Sequence, residues 1–178
     1  MKYPLSVAFV ALAVFANWLA SKYTVHVPLT QFVAPAGVFC IGAALVLRDW
    51  LQQVAGLWWT ISLVIIGGGA SYLIGDAAGW TGLQKIALAS LVAFIVSETV
   101  EAAVFTPIRN RNLTAGVLAS GMVGNAIDSW LFLTLAFGST AFFMGNFVGK
   151  AEMILVGGLL TAARRAMIPS PSTRTPGG

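Results

Sequence analysis

Charge is scarce in this chain. Asp, Glu, Lys and Arg make up 9% of its 178 residues, against about 25% in an ordinary soluble domain. So little charge cannot coat a water-facing surface, and 58% of the residues are hydrophobic. A typical soluble fold is excluded, and most of the exterior must meet lipid. Cysteine is nearly missing. Cys40 stands alone in an apolar run, which excludes an internal disulfide. His26 has no Cys/His cluster beside it, so neither a metal site nor another cofactor is expected. No glycine loop ending in Gly-Lys-Ser/Thr occurs. Apolar spans of about 20 residues, roughly five to seven of them, use up the length. An ATP-driven role would need a partner chain. The formal net charge of +4 is explained by cytoplasmic Lys and Arg rather than by a nucleic-acid partner.

The apolar runs predict an all-α integral membrane protein with six transmembrane helices. They are Pro4 to Ala20, Phe32 to Leu47, Ala55 to Ile74, Gln84 to Phe105, Leu113 to Phe137 and Phe142 to Ala163. Lys2 before an apolar run resembles a signal peptide, but Trp18 and Leu19 interrupt the small residues of a cleavage site, which favours a retained helix. Ser21 to Gln31 reads as an outer loop, and Arg48-Asp49 as the first inner turn. Pro35 suggests a kink or a helix start. Gly67-Gly68-Gly69 admits a close backbone or a flat ligand. The transmembrane domain covers 1–168, and the Pro- and Ser-rich tail 169–178 reads as disordered.

Charge supports this count. With the N-terminus inside, inner segments hold Lys2, Arg48, Arg109, Arg111, Arg164, Arg165 and Arg174, while outer ones hold Lys22 and Lys85, seven against two. Both termini are then cytoplasmic, in the inner (plasma) membrane of the cell.

The chemistry concentrates between Leu91 and Phe137. Glu98 and Glu101 are three apart and share a helix face. A carboxylate at mid-membrane costs about 2.5–3.5 kcal/mol on insertion scales. Protonation of one acid, or donors from another helix or a ligand, would relieve it. A purely structural pairing with Arg109 or Lys150 is the alternative. Asn125 and Asp128 repeat the i, i+3 arrangement, with Gly121 and Gly124 one turn earlier. The expected result is a recess with an amide and a carboxylate at its floor, suited to a flat, nitrogen-rich solute. Interhelical hydrogen bonding is the competing reading. Lys150 and Glu152 point to opposite sides of their helix. Lys150 is expected to face Asp128 or Glu101, with Gly145 and Gly149 beside it. Among the aromatics Trp18, Phe32, Trp58, Trp59, Phe94 and Trp130, the sequence does not single out one to stack on a ring.

These stretches resemble a known family. Glu98-Thr-Val-Glu101-Ala-Ala-Val-Phe105 followed by Arg109, Gly124-Asn125-Ala-Ile-Asp128-Ser129, Asn17 to Lys22, Leu47-Arg48-Asp49 and Lys150 match, in order, motifs of the queuosine precursor transporters, within the vitamin uptake transporter group. Two features depart from the pattern: Glu98 stands where many members have glutamine, and the chain is short. The resemblance implies a six-helix importer of 7-cyano-7-deazaguanine or its aminomethyl relative. Its substrate-binding residues would be Glu98, Glu101, Asn125, Asp128 and Lys150, joined by Asn17 and Arg48. The alternative is a substrate-binding subunit of an energy-coupling-factor transporter. A homodimer or a coupling partner is left open. A membrane enzyme is disfavoured, because no nucleophile–base pair and no metal-ligand cluster is evident.

Overall fold

A computed structural model describes residues 2–109 and 113–167. Six helices account for nearly all of it: α1 (Lys2–Lys22), α2 (Val38–Ala55), α3 (Leu57–Ala77), α4 (Thr81–Arg109), α5 (Leu113–Phe137) and α6 (Phe143–Met167). The one departure from all-α structure is a two-stranded antiparallel ribbon, β1 (Thr24–His26) paired with β2 (Val33–Pro35). The basic stretch Asn110 to Asn112 and the tail expected to be disordered lie outside the described residues.

The elements follow from local chemistry. Pro4 is tolerated in α1 because it falls in the first turn, where no amide hydrogen bond is lost. The second span starts later than its apolar run, at Val38, because Val33–Pro35 are taken by β2. Pro35 therefore ends a strand and does not begin a helix. Arg48 and Asp49, expected in a turn, lie within α2, which runs on to Ala55. The turn falls at Gly56, the single residue between α2 and α3. Its φ of +87° is one that side-chain-bearing residues rarely adopt. The helix α5 has the limits expected for the fifth apolar run, Leu113–Phe137.

α4 and α5 form a long antiparallel hairpin, against which α1, α3 and α6 pack, while α2 packs on α1, α6 and α3. Phe9, Ala44, Leu51 and Leu63 join α1, α2 and α3 in one apolar cluster. Ala20, Ile86, Ala89 and Ala136 join α1, α4 and α5 in another. A third cluster ties the ribbon down, as Val27, Ala34 and Val38 pack together with Val148 of α6. The expected outer loop is thus a folded element. Gly145 makes room for it: a Cβ there would meet the Val33 carbonyl oxygen at 2.1 Å. Gly149 likewise faces Val27 and Val38. Of the triple glycine, Gly67 faces Ala13 and Gly68 faces Leu91, while Gly69 faces open space.

The exterior is apolar. Val7, Trp58, Ile66, Leu73, Leu88, Met122, Trp130 and Leu155 all point outward, which water would not tolerate over so much surface. Two amphipathic girdles bound this band. At one end Lys2 Nζ lies 4.7 Å from the centroid of the Trp59 ring, whose Nε1 donates to Ser6 Oγ at 3.0 Å. At the other, Lys22 Nζ lies 5.0 Å from the Trp80 ring centroid, with Trp18 and Tyr23 edge to face. α1 connects them and rises about 30 Å, one hydrocarbon core. Among the described residues, Lys2–Lys22, Leu57–Ala77 and Thr81–Ile108 are each long and apolar enough to cross a membrane. The chain is a helical membrane protein.

Candidate functional site

Polar side chains clasp neighbouring helices together. Asn17 of α1 donates to Ser71 Oγ of α3 at 3.1 Å, and Ser71 in turn donates to the Gly67 carbonyl. Lys150 of α6 forms an ion pair with Asp128 of α5. Arg48 of α2 forms one with Glu98 of α4. Pairing offsets the cost of burying Lys150, only 3% exposed, within an apolar bundle. Its ammonium also lies 5.9 Å from the Phe132 ring centroid, and Arg48 lies 5.8 Å from that of Phe94.

Two cavities lie among these clasps. The first, about 840 Å³ with its mouth included, is bordered by Asn17, Arg48, Ser90, Asp128, Asn146 and Lys150. Its apolar wall includes Phe9, Phe94 and Phe132. The second, about 1450 Å³, is bordered by Arg48, Gln52, Thr60, Glu98, Glu101 and Ser120, again with Phe94. Arg48, Val64 and Phe94 border both. The Arg48–Glu98 pair, with the ring of Phe94, therefore stands as the partition between the two chambers.

The expected site residues divide accordingly. Asn17, Arg48, Asp128 and Lys150 meet at the first chamber, while Glu98 and Glu101 border the second. Asn125 borders neither: its Nδ2 donates to the Phe147 carbonyl at 3.0 Å and its Oδ1 accepts from Ser129 Oγ. In this conformation Asn125 joins α5 to α6, and the recess floor holds Asp128 without it. The flanking glycines also differ. Gly124 lies under the Glu101 carboxylate, whose Oε2 would be 2.8 Å from a Cβ there, whereas Gly121 faces open space. Of the two partners open to Lys150, the structure selects Asp128.

Sequence reasoning passed over Asn146, Ser90, Phe9 and Phe132. Asn146 is 1% exposed, and its Nδ2 makes no hydrogen bond. Such an orphaned amide costs about 1–3 kcal/mol. A signal was present in the sequence. Asn146 precedes Lys150 by four residues, which puts both on one face of α6.

In chemical terms the first chamber can hold a flat, uncharged polar solute. Asp128 offers acceptors, Asn17 and Asn146 offer amides, and aromatic rings supply faces for stacking. Lys150 is paired with Asp128 and Arg48 with Glu98, so among the described residues the cations bordering this chamber are already matched.

An apolar helical bundle around a charge-balanced polar chamber defines a class, that of helical membrane proteins with a polar interior. Residues 77–163 match the family described as "Putative vitamin uptake transporter". The resemblance to the vitamin uptake transporter group is thereby borne out over the stretch from the end of α3 into α6. That stretch carries Glu98, Glu101, Asn125, Asp128 and Lys150, while Asn17 and Arg48 precede it. No curated protein and no solved structure matches the chain.

Proposed function

We propose that this chain imports a 7-deazaguanine base, 7-cyano-7-deazaguanine or 7-aminomethyl-7-deazaguanine, across the cytoplasmic (inner) membrane. The observation that carries the reading is the first chamber. Its acid, amides and rings suit a planar base with a 2-amino-6-oxo edge. Asp128 accepts from the amine edge. Asn17 and Lys150 hold the other side, and Phe94 or Phe132 stacks on the ring.

All six helices cross the membrane, both termini are cytoplasmic, and the ribbon faces outward. Glu98, Glu101 and Arg48 serve the second chamber, on the path to the cytoplasm. There Glu98 releases Arg48 as the base passes, and Glu101 offers a further acceptor. Asn125 turns from the Phe147 carbonyl to the base when α5 and α6 move apart. Two-chamber geometry with a paired partition supports this order.

The test is uptake in bacteria that lack both queuosine-precursor synthesis and their own importer. The chain is expressed alone, 7-cyano-7-deazaguanine is supplied at low concentration, and queuosine in transfer RNA is measured. Return of queuosine is the expected result. Return only when a coupling ATPase is co-expressed would make the chain a binding subunit. No return in either strain, with the protein shown in the membrane, would overturn the substrate.

A further inference from the structure

One buried amide at the first chamber has no specific contact assigned to it in the import scheme. Asn146 sits one helical turn before Lys150, at the chamber wall and almost fully buried. The other buried polar side chains there are engaged, Asn17 with Ser71 and Lys150 with Asp128. Asn146 Nδ2 alone is buried without a hydrogen-bond partner among the described residues. Leucine has the same branched shape, is bulkier, and would leave no polar atom without a partner. Retaining an amide there makes sense if its partner arrives with the cargo.

The amide group restricts what that partner is. A primary amide offers a donor and an acceptor side by side and carries no charge. Its best complement is an edge with the reverse order, a carbonyl next to an N–H, as in a cyclic lactam. Two parallel hydrogen bonds then satisfy both. A phosphate or carboxylate would leave the amide oxygen facing an anion. We infer that Asn146 binds the cargo directly and reads the lactam edge of an uncharged heterocycle. This rests on the base-import reading and names the edge that the site recognises.

The experiment uses the full-length protein, purified in detergent, as wild type and as Asn146→Leu. Two probes are titrated: 7-cyano-7-deazaguanine and its 6-deoxo analogue, which lacks the carbonyl. Wild type is expected to bind the 6-oxo probe at least about tenfold more tightly. Asn146→Leu is expected to bind both weakly and alike. Its melting temperature without ligand reports the gain from removing the orphaned amide set against the cost of the larger side chain. Asn146→Ala, which adds no bulk, carries the same binding expectation and serves if the leucine variant does not fold. Unchanged preference for the 6-oxo probe in the variants overturns the role of Asn146 and leaves the import reading standing. A wild type that binds neither probe overturns the import reading, and the lactam assignment with it.

Discussion

Asp128 and Lys150 show how tightly stability and function are joined at single residues. Asp128→Asn leaves a buried ammonium without its counter-charge, at a cost of about 3–5 kcal/mol. The variant should still reach the membrane, yet melt at lower temperature and take up no base. Adding Lys150→Met removes the stranded charge. The double variant should regain most of the lost stability while uptake stays absent. Melting in detergent and uptake in cells check this together; recovery of both would reduce the pair to a structural clasp. The sequence exposed these residues plainly, because a charge inside an apolar run stands out. Asn146 did not stand out, because an amide costs less than a charge and attention falls on the lysine beside it. Phe94 was one of six aromatics named without being singled out, and Phe132 was not named, for a different reason. These helices are apolar on every side, so their patterns do not say which ring turns inward.

Elements raise the question of how closely backbones approach. Gly145 and Gly121 separate two causes that a helix-propensity argument would merge. Alanine at Gly145 drives a methyl group into the Val33 carbonyl, so α6 and the ribbon must part. A loss of about 1–3 kcal/mol is expected. Alanine at Gly121 meets nothing within 4 Å and should be neutral or stabilising by up to about 1 kcal/mol. Thermal melting of the two variants side by side checks the contrast; equal destabilisation would mean that the ribbon is not docked. The helices themselves were legible, since runs of apolar residues broken by glycine or charge locate spans well. The ribbon was not. Three residues per strand are too few to show alternation, and β1 and β2 gain their stability from Val27, Ala34 and Val38 packing on α6. The same tertiary contact explains why α2 begins at Val38. The turn at Gly56 was missed because Arg48 and Asp49 look like an interface, yet the charge of Arg48 is used inside the bundle, against Glu98.

At the scale of the molecule the direction of insertion is what turns two chambers into a path. The Gly56 turn lies at the same end as Lys2, since Trp59 packs against Lys2 and Ser6. The ribbon lies at the end where α6 begins, since Gly145 abuts Val33. With Arg48 inside the bundle, six of the ten Lys and Arg residues fall in segments assigned to the Lys2 end, against Lys22 and Lys85 at the other, so the Lys2 end should face the cytoplasm. Leu29 in the ribbon turn and Val54 near the end of α2 are both well exposed. With Cys40 replaced by serine, Leu29→Cys should react in intact cells with a maleimide that cannot cross membranes. Val54→Cys should react only after the cells are permeabilised. Reversal of the two patterns would invert the protein and make the second chamber the point of entry. Reaction of both from outside would show that α2 does not cross, and the six-span count would fall with it. The expected pattern places the partition formed by Arg48, Glu98 and Phe94 on the cytoplasmic side of the first chamber. A base held beside Asp128 and Lys150 then has one ion pair left to open before it reaches the cell interior.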